Sequence, residues 1–576
     1  MLKEQLESLK KVDTSMVACA MGDSLRDITE SYSYHEKSVA LAIILLKIQE
    51  LNNPLINKAE LIDSSILEGE LRDTIIKYIE DIWDVVKDNL FKFTNEQLKS
   101  FILFDNSFCT GKSGGIVPTP DSVSRLACEI LSIKDNEKLL ELCSGQGSFA
   151  IQSFVSNPNL IYEGVELNYV ARDIAIMRLS LIYDNFRIEL HNALEYKSED
   201  KADKLFSNYP FMLRSPTLNM CKVKLANSFN LSAETIQRIS SDWLFNLIMI
   251  DQMKDDGKAV GIMTNGSTWN TFDRNIRKFF VDNGFVEAVI SLPSKMFMDT
   301  SIPTTMIVLS RNNHSVRMID ATNICVSTRR NNEFTDADIE KIVGMLACDS
   351  DVSLLIDKEE LADNDYVLYA SRYLNKISEV ENGIEFEGII KNITRGSQLK
   401  ASEFDELKSD SITPYQYLTL ANVDNGIIDI GDNQYLTDMP RKLEKYCVKN
   451  NSIVLSKIGV PNFKSAVVSV SNDKKLLANG NLFVIELDET KADPYYIQAY
   501  FSSEAGIAAF KNIYAGVSLA TISLDKIKKM IIPLPSMERQ KDIGAKYAAC
   551  IDEVVLLRRK LDKVTNRMNH LFDEEE

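Results

Sequence analysis

Glu141-Leu142-Cys143-Ser144-Gly145-Gln146-Gly147-Ser148-Phe149 is the stretch on which the fold turns. Apolar residues lead into it, two glycines alternate with small polar residues, and a new apolar run opens at Phe149. That order reads as a strand, a tight turn and the start of a helix. Around it, strands are expected at Lys138–Leu142, Tyr162–Glu166, Arg187–His191, Lys204–Ser207, Ala259–Met263, Val286–Leu292 and Thr304–Leu309. Helical spacing marks Tyr169–Tyr183 and Ser240–Lys254. Strands alternating with helices predict an α/β, mainly parallel, doubly wound sheet with ligands at the carboxyl ends of its strands.

A glycine turn after a strand is shared by nucleotide folds and plain tight turns. A second residue sharpens it. Glu166 ends the next expected strand, nineteen residues after Gly147, where a carboxylate can accept hydrogen bonds from two ribose hydroxyls. No Lys-Ser or Lys-Thr pair follows the turn, so nothing marks a phosphate-binding loop. The expected ligand is a nucleoside without a phosphate chain, which fits S-adenosylmethionine. Asn192, after the third strand, is placed to reach the adenine of such a cofactor; a turn asparagine would look the same.

Ser207-Asn208-Tyr209-Pro210-Phe211 ends the fourth strand. An aromatic amine is a poor nucleophile because its lone pair is delocalised into the ring. Asn208 Oδ1 and the Tyr209 carbonyl could accept both amine hydrogens and turn the lone pair toward a methyl donor, acting through orientation and fixed dipoles. Phe211 would stack on the base and Pro210 would stiffen the loop. The target base must leave its duplex to arrive there. Asn and Pro also favour ordinary β-turns, so the four residues alone leave both readings open.

The rest of the chain sets the frame. At 576 residues it exceeds one core, so three or four domains are expected. The nine cysteines are scattered singly with no Cys-x-x-Cys pair, which fits a reducing cytosol and neither a disulfide framework nor a metal site. No apolar run is long enough for a bilayer span, and Met1–Gln5 opens without a signal-peptide core. The net charge is −18, all of it in the first 390 residues, because residues 391–576 hold 25 basic and 25 acidic side chains. Residues 441–475 hold eight basic and two acidic residues, a local excess that phosphate contacts or a plain solvated loop would both produce.

Residues 1–110 read as a helical N-terminal domain, with helical apolar spacing at Ser38–Leu46 and Ile75–Trp83. Gly114-Gly115 and Pro118-Thr119-Pro120 end that run, and Asp121 or Ser122 could cap a following helix. Residues 111–330 form the α/β domain and 331–390 a connecting region. Residues 391–536, with runs at Ser452–Ser456, Ser465–Val470 and Leu482–Leu487, suggest an irregular α+β domain. In 537–576, Ile543, Tyr547, Cys550, Val554, Leu557, Leu561, Val564, Met568 and Leu571 recur alternately four and three apart. This heptad seam predicts a long coiled-coil helix, or a helix laid on its own domain.

The order of motifs resembles the γ-class amino-methyltransferases, and most closely the modification subunits of type I restriction systems. The likeness covers roughly residues 1–330. It rests on Gly115-Ile116-Val117-Pro118-Thr119-Pro120, the glycine turn, the Asn208–Phe211 loop, Gly257–Met263, Asn275-Ile276-Arg277 and Leu292-Pro293-Ser294-Lys295-Met296-Phe297. The family usually has Asp where Glu141 stands and Pro where Tyr209 stands; the charge and the carbonyl are kept, while one φ restraint is lost. The resemblance implies a Rossmann-like methyltransferase domain that binds S-adenosylmethionine through Thr119, Pro120, Glu141, Ser144, Gly145, Gly147, Glu166 and Asn192. It places the catalytic grip on adenine at Asn208, Tyr209, Pro210 and Phe211.

Residues 385–572 resemble half of a type I specificity subunit, through Gly516–Ser523 and Ile532-Pro533-Leu534-Pro535-Ser536-Met537-Glu538-Arg539-Gln540. That likeness implies one DNA target-recognition domain, with Lys442, Lys445, Lys449, Lys457 and Lys464 against the backbone of double-stranded DNA. It also implies pairing of two chains through the last helix, any cutting coming from a separate restriction subunit, and a cytoplasmic setting. The expected activity is adenine-N6 methylation of DNA. Cytosine-N4 methylation and a catalytically degenerate DNA-binding subunit are the alternatives. Cytosine-C5 chemistry is set aside because the chain has no Pro-Cys pair.

Overall fold

The computed structural model describes residues 2–26, 34–90, 92–104, 118–183, 185–297, 302–327, 331–374, 383–399, 401–424, 426–430, 434–457, 463–470, 473–514 and 524–569. Gly114–Val117, Gly516–Ser523 and Leu571, all quoted above, lie outside these residues. The chain divides into two compact units, Met1–Leu374 and Asn375–Glu576.

Six helices open the first unit: α1 (Leu2–Leu9), α2 (Ser15–Leu25), α3 (Tyr34–Leu51), α4 (Lys58–Asp63), α5 (Gly69–Asn89) and α6 (Asn95–Phe104). α3 is buried along Val39–Leu46, and α5 buries Leu71, Ile75, Ile79, Ile82 and Val86 at helical spacing. α7 (Asp121–Leu131) follows, capped by Pro120 with no side-chain cap bond, so neither Asp121 nor Ser122 serves as the cap. Asp121 instead pairs with Lys10 at 2.7 Å and Arg125 at 3.3 Å.

The first unit is organised on a nine-stranded sheet. Its early strands are β1 (Lys138–Leu142), β2 (Ile161–Glu166), β3 (Phe186–Leu190), β4 (Ala202–Ser207) and β5 (Met253–Thr264). Then come β6 (Val286–Ser291), β7 (Thr304–Leu309) and β8 (Ser315–Asp320). A small separate pair, β9 (Val326–Ser327) and β10 (Asn332–Glu333), precedes β11 (Ser353–Asp357). The sheet order is β11-β8-β6-β7-β5-β4-β1-β2-β3. β1 to β5 are parallel neighbours; β7 runs antiparallel to both β5 and β6, and β11 antiparallel to β8. The sheet is therefore mixed.

Both faces are covered, as alternation along the strands shows. Leu140, Leu205, Ala259 and Ile307 join one core, while Leu139, Phe206, Val260 and Val308 join the other. The intervening helices are α8 (Ser148–Ser156), α9 (Tyr169–Leu179), α10 (Thr217–Phe229), α11 (Ala233–Gln237), α12 (Ser241–Gln252) and α13 (Arg274–Asp282). The N-terminal helices pack on α9, whose Ile174 and Met177 belong to their core. Asp173 of α9 is fully buried and receives the Tyr78 hydroxyl at 2.8 Å and Lys77 Nζ at 2.9 Å, the partners a buried carboxylate needs. Within the stretch 331–390, residues up to Leu374 belong to this first unit, and β11 extends its sheet.

The second unit holds an antiparallel sheet in the order Ile390–Arg395, Leu482–Leu487, Ile453–Ser456, Ser465–Val467. A second sheet pairs Tyr415–Leu418 with Lys475–Ala478 in parallel. The last helix, Met537–Asn569, begins against its own unit: Gln540 Oε1 accepts the Asp493 N–H at 3.0 Å, and Tyr547 bonds Ser502 at 2.9 Å. Its distal part differs. Leu557, Leu561 and Met568 are 55%, 65% and 65% exposed. Among the described residues, no helix is long and apolar enough to cross a membrane.

Candidate active site

The glycine turn is built from three left-handed residues. Cys143 has φ +61°, Gly145 +56° and Gly147 +80°. Ser144 N–H donates to the Val165 carbonyl and Gly147 N–H to the Ser144 carbonyl, which fixes the turn between β1 and α8. The two glycines are needed for different reasons. A Cβ at Gly147 would stand 3.3 Å from Ala175 Cβ, so α9 closes on the turn there. A Cβ at Gly145 would meet nothing within 4 Å, because that side opens on a cavity.

The cavity measures about 720 Å³ and is lined by both motifs. From the first side come Gly145 and Glu166; from the second, Asn208, Tyr209, Pro210 and Phe211; Asn192 stands with them. Glu166 Oε2 accepts the Gly145 N–H at 2.7 Å and Oε1 the Asn168 N–H at 2.8 Å. Those bonds hold the carboxylate at the strand end and leave each oxygen a lone pair for a ligand. Asn192 Oδ1 accepts the Leu194 N–H at 3.1 Å, so its Nδ2 hydrogens remain for a ligand.

At β4, Ser207 Oγ donates to the Leu142 carbonyl at 2.7 Å and joins the two strand ends. Asn208 Nδ2 donates to Thr119 Oγ1 at 3.1 Å. With its nitrogen so committed, the amide offers Oδ1 as an acceptor. The Tyr209 ring is buried, stacks on Phe245 at 4.9 Å and 5°, and sends its hydroxyl to Asn246 Oδ1 at 3.4 Å. Phe211 meets the edge of Phe297 at 6.1 Å and 83°.

Several residues singled out from sequence stand elsewhere. Glu141 is buried, accepts the Tyr162 hydroxyl at 2.6 Å and does not line the cavity; burial pushes its carboxyl well above the usual range despite that bond. Its strand position turns it into the sheet rather than out of its end. Ser144 and Gly147 are also outside the lining. Pro120 caps α7, and Thr119 meets the site through Asn208. Phe245 and Phe297 line the cavity yet carried no assigned role in the sequence reading. Phe297 ends the quoted Leu292–Phe297 element, which was its available signal. In the second unit Lys449 is paired with Glu486 at 2.8 Å and Lys445 lies over the Tyr446 ring at 4.9 Å. Lys442, Lys457 and Lys464 have no carboxylate partner among the described residues.

Residues 98–382 match the family model described as N-6 DNA Methylase, and residues 392–566 match the type I restriction modification DNA specificity domain. The chain joins an N-6 DNA methylase domain to a specificity domain. The methylase part is 28% identical over 296 residues to the type I restriction enzyme MjaVIII methylase subunit of Methanocaldococcus jannaschii, covering 46% of this chain and 51% of that protein. It is 26% identical over 298 residues to the MpnII methylase subunit of Mycoplasma pneumoniae, covering 47% and 55%. The chain thus spans about half the length of these curated relatives. In fold, the chain is similar to the type IIG restriction endonuclease BpuSI, with a TM-score of 0.53, 13% identity, and coverage of 92% of this chain and 75% of that one.

Proposed function

We propose that this chain is a sequence-specific DNA methyltransferase that carries a methyl group from S-adenosylmethionine to the N6 amine of an adenine turned out of its duplex. In this reading it is the modification component of a restriction-modification system. One observation carries it: the glycine turn with Glu166, and the Asn208–Phe211 loop, line a single cavity.

The cavity's donor set fits a nucleoside cofactor. Glu166 offers acceptors for ribose hydroxyls and Asn192 offers N–H donors for an adenine, while among the described residues no Lys or Arg lines the wall to balance a phosphate chain. When bound, S-adenosylmethionine supplies an electrophilic methyl on a sulfonium. The rest is positioning by the protein. Thr119 fixes the Asn208 amide, so Oδ1 takes one amine hydrogen of the target. The Tyr209 carbonyl takes the other, and the buried ring of Tyr209 against Phe245 supplies the stiffness that proline gives the family loop. Phe211, braced by Phe297, offers the base a stacking face.

The specificity domain would read the DNA word, with Lys442, Lys457 and Lys464 free for phosphates. One recognition domain per chain calls for two chains on a site. The exposed apolar face of the distal helix supports a homodimer formed there. Restriction would come from a separate subunit, and a cytoplasmic setting belongs to the same reading.

The test is calorimetric binding of S-adenosylmethionine followed by transfer of a labelled methyl group to DNA. Binding with transfer is expected. Binding without transfer would favour a degenerate DNA-binding subunit.

A further inference from the structure

We infer that Met212 is the side chain that enters the DNA base stack as the target base leaves it; this rests on the cavity's holding an extruded base. Phe211 and Leu213 both line that cavity. Met212 lies between them, with its Cα about 3.8 Å from each neighbour's, so it stands at the cavity's edge. Its own side chain is not part of the lining and is 69% exposed.

The backbone aims it outward. Met212 has φ +51°, in the left-handed region that residues with a Cβ rarely adopt. Its neighbours hold it there: Phe211 against Phe297, and the Leu213 N–H donated to Ser241 Oγ at 3.0 Å. A long, unbranched, polarizable side chain is thus held at the rim of the base cavity with nothing packed over most of its surface. Met is among the apolar side chains that proteins insert between base steps.

A second observation points to the same partner. The thirty residues from Lys204 to Ala233 contain no Asp or Glu, the longest such interval in the chain, although the first 390 residues carry the whole net charge of −18. Arg214 and Lys224 are exposed within it, with no carboxylate partner among the described residues. Lys222 donates to the Gln237 carbonyl at 3.1 Å. On α10, Met220 and Val223 are exposed one turn apart. An exposed Arg214 two residues from an outward apolar side chain suits a duplex, which presents phosphates at its surface and stacked bases within. Filling the gap offsets the unstacking that base extrusion requires.

The experiment compares two duplexes that carry the word found modified in DNA from cells expressing the full-length protein. In one the target adenine is paired; in the other it faces an abasic site, so pairing is already lost. Met212→Ala should lower kcat/KM on the paired duplex about 10- to 100-fold, and on the abasic duplex by about threefold or less. Met212→Leu, which keeps the apolar bulk, should stay within about threefold of the wild type on both. Affinity for S-adenosylmethionine should be unchanged in both variants. Equal losses on the two duplexes, or no loss on the paired one, would overturn the role. A wild-type protein inactive on both duplexes would overturn the methyltransferase reading, and the inference with it.

Discussion

Asn208 and Glu166 work through what already holds them. Thr119 takes the Asn208 nitrogen, and the N–H groups of Gly145 and Asn168 take one lone pair from each Glu166 oxygen. Glu166→Gln replaces one acceptor oxygen with an amide donor and removes the charge. It should weaken S-adenosylmethionine binding by about 10- to 100-fold, the scale of a lost charge-assisted hydrogen bond, read by calorimetry. Glu141 gives a pH test. Its folded carboxyl sits well above the ordinary glutamate value, chiefly through burial. Between those two values the folded protein keeps a proton that the unfolded chain has released, so this group's stabilisation falls as pH rises. Glu141→Gln should therefore raise Tm over the wild type at pH 8, with the gain shrinking toward pH 5. A gain independent of pH would refute this. Gly145, Glu166 and Asn208 were legible in the sequence because each lies at or just beyond the carboxyl end of a strand, where the fold opens. Glu141 was not, because it lies within β1 rather than beyond its end, and its carboxyl is buried against the Tyr162 hydroxyl. Phe245 and Phe297 were missed because they come from distant segments, and spacing along the chain does not show which aromatic rings converge.

At the scale of elements, the turn between β1 and α8 depends on how closely α9 approaches it. Gly147→Ala puts a Cβ into a backbone of φ +80° and against Ala175. We expect a loss of about 1–3 kcal/mol, seen as a lower denaturation midpoint. The terminal helix changes character along its length: Gln540 and Tyr547 tie its start to the second unit, while Leu557 and Leu561 face outward. Leu557→Lys combined with Leu561→Lys should leave Tm unchanged and shift the solution mass from two chains to one. A wild-type protein already of one-chain mass on its DNA would remove the pairing. Six of the sheet's nine strands were legible to within a few residues; β5 starts earlier than expected because its acidic and glycine-bearing first half, Lys254–Gly257, breaks any apolar pattern, and β8 and β11 were not among the expected strands. The antiparallel course of β7 was not legible, because strand patterns carry no direction. The second unit was read only coarsely, since several of its strands are two or three residues long.

For the molecule as a whole, the cavity and the specificity-domain match fall on separate units. The first, Met1–Leu374, contains the whole cavity, and the second, Asn375–Glu576, matches a specificity domain over 392–566. The chain's net −18 lies in its first 390 residues, and the neutral remainder, residues 391–576, contains the whole specificity match. The most direct measurement is mass spectrometry of nucleosides from DNA incubated with S-adenosylmethionine and either the wild type or Asn208→Ala. We expect N6-methyladenine from the wild type and a fall of at least about 100-fold from the variant, with cofactor affinity unchanged. Wild-type DNA lacking N6-methyladenine, or a variant that forms it at the normal rate, would contradict the grip of Asn208 on an extruded adenine.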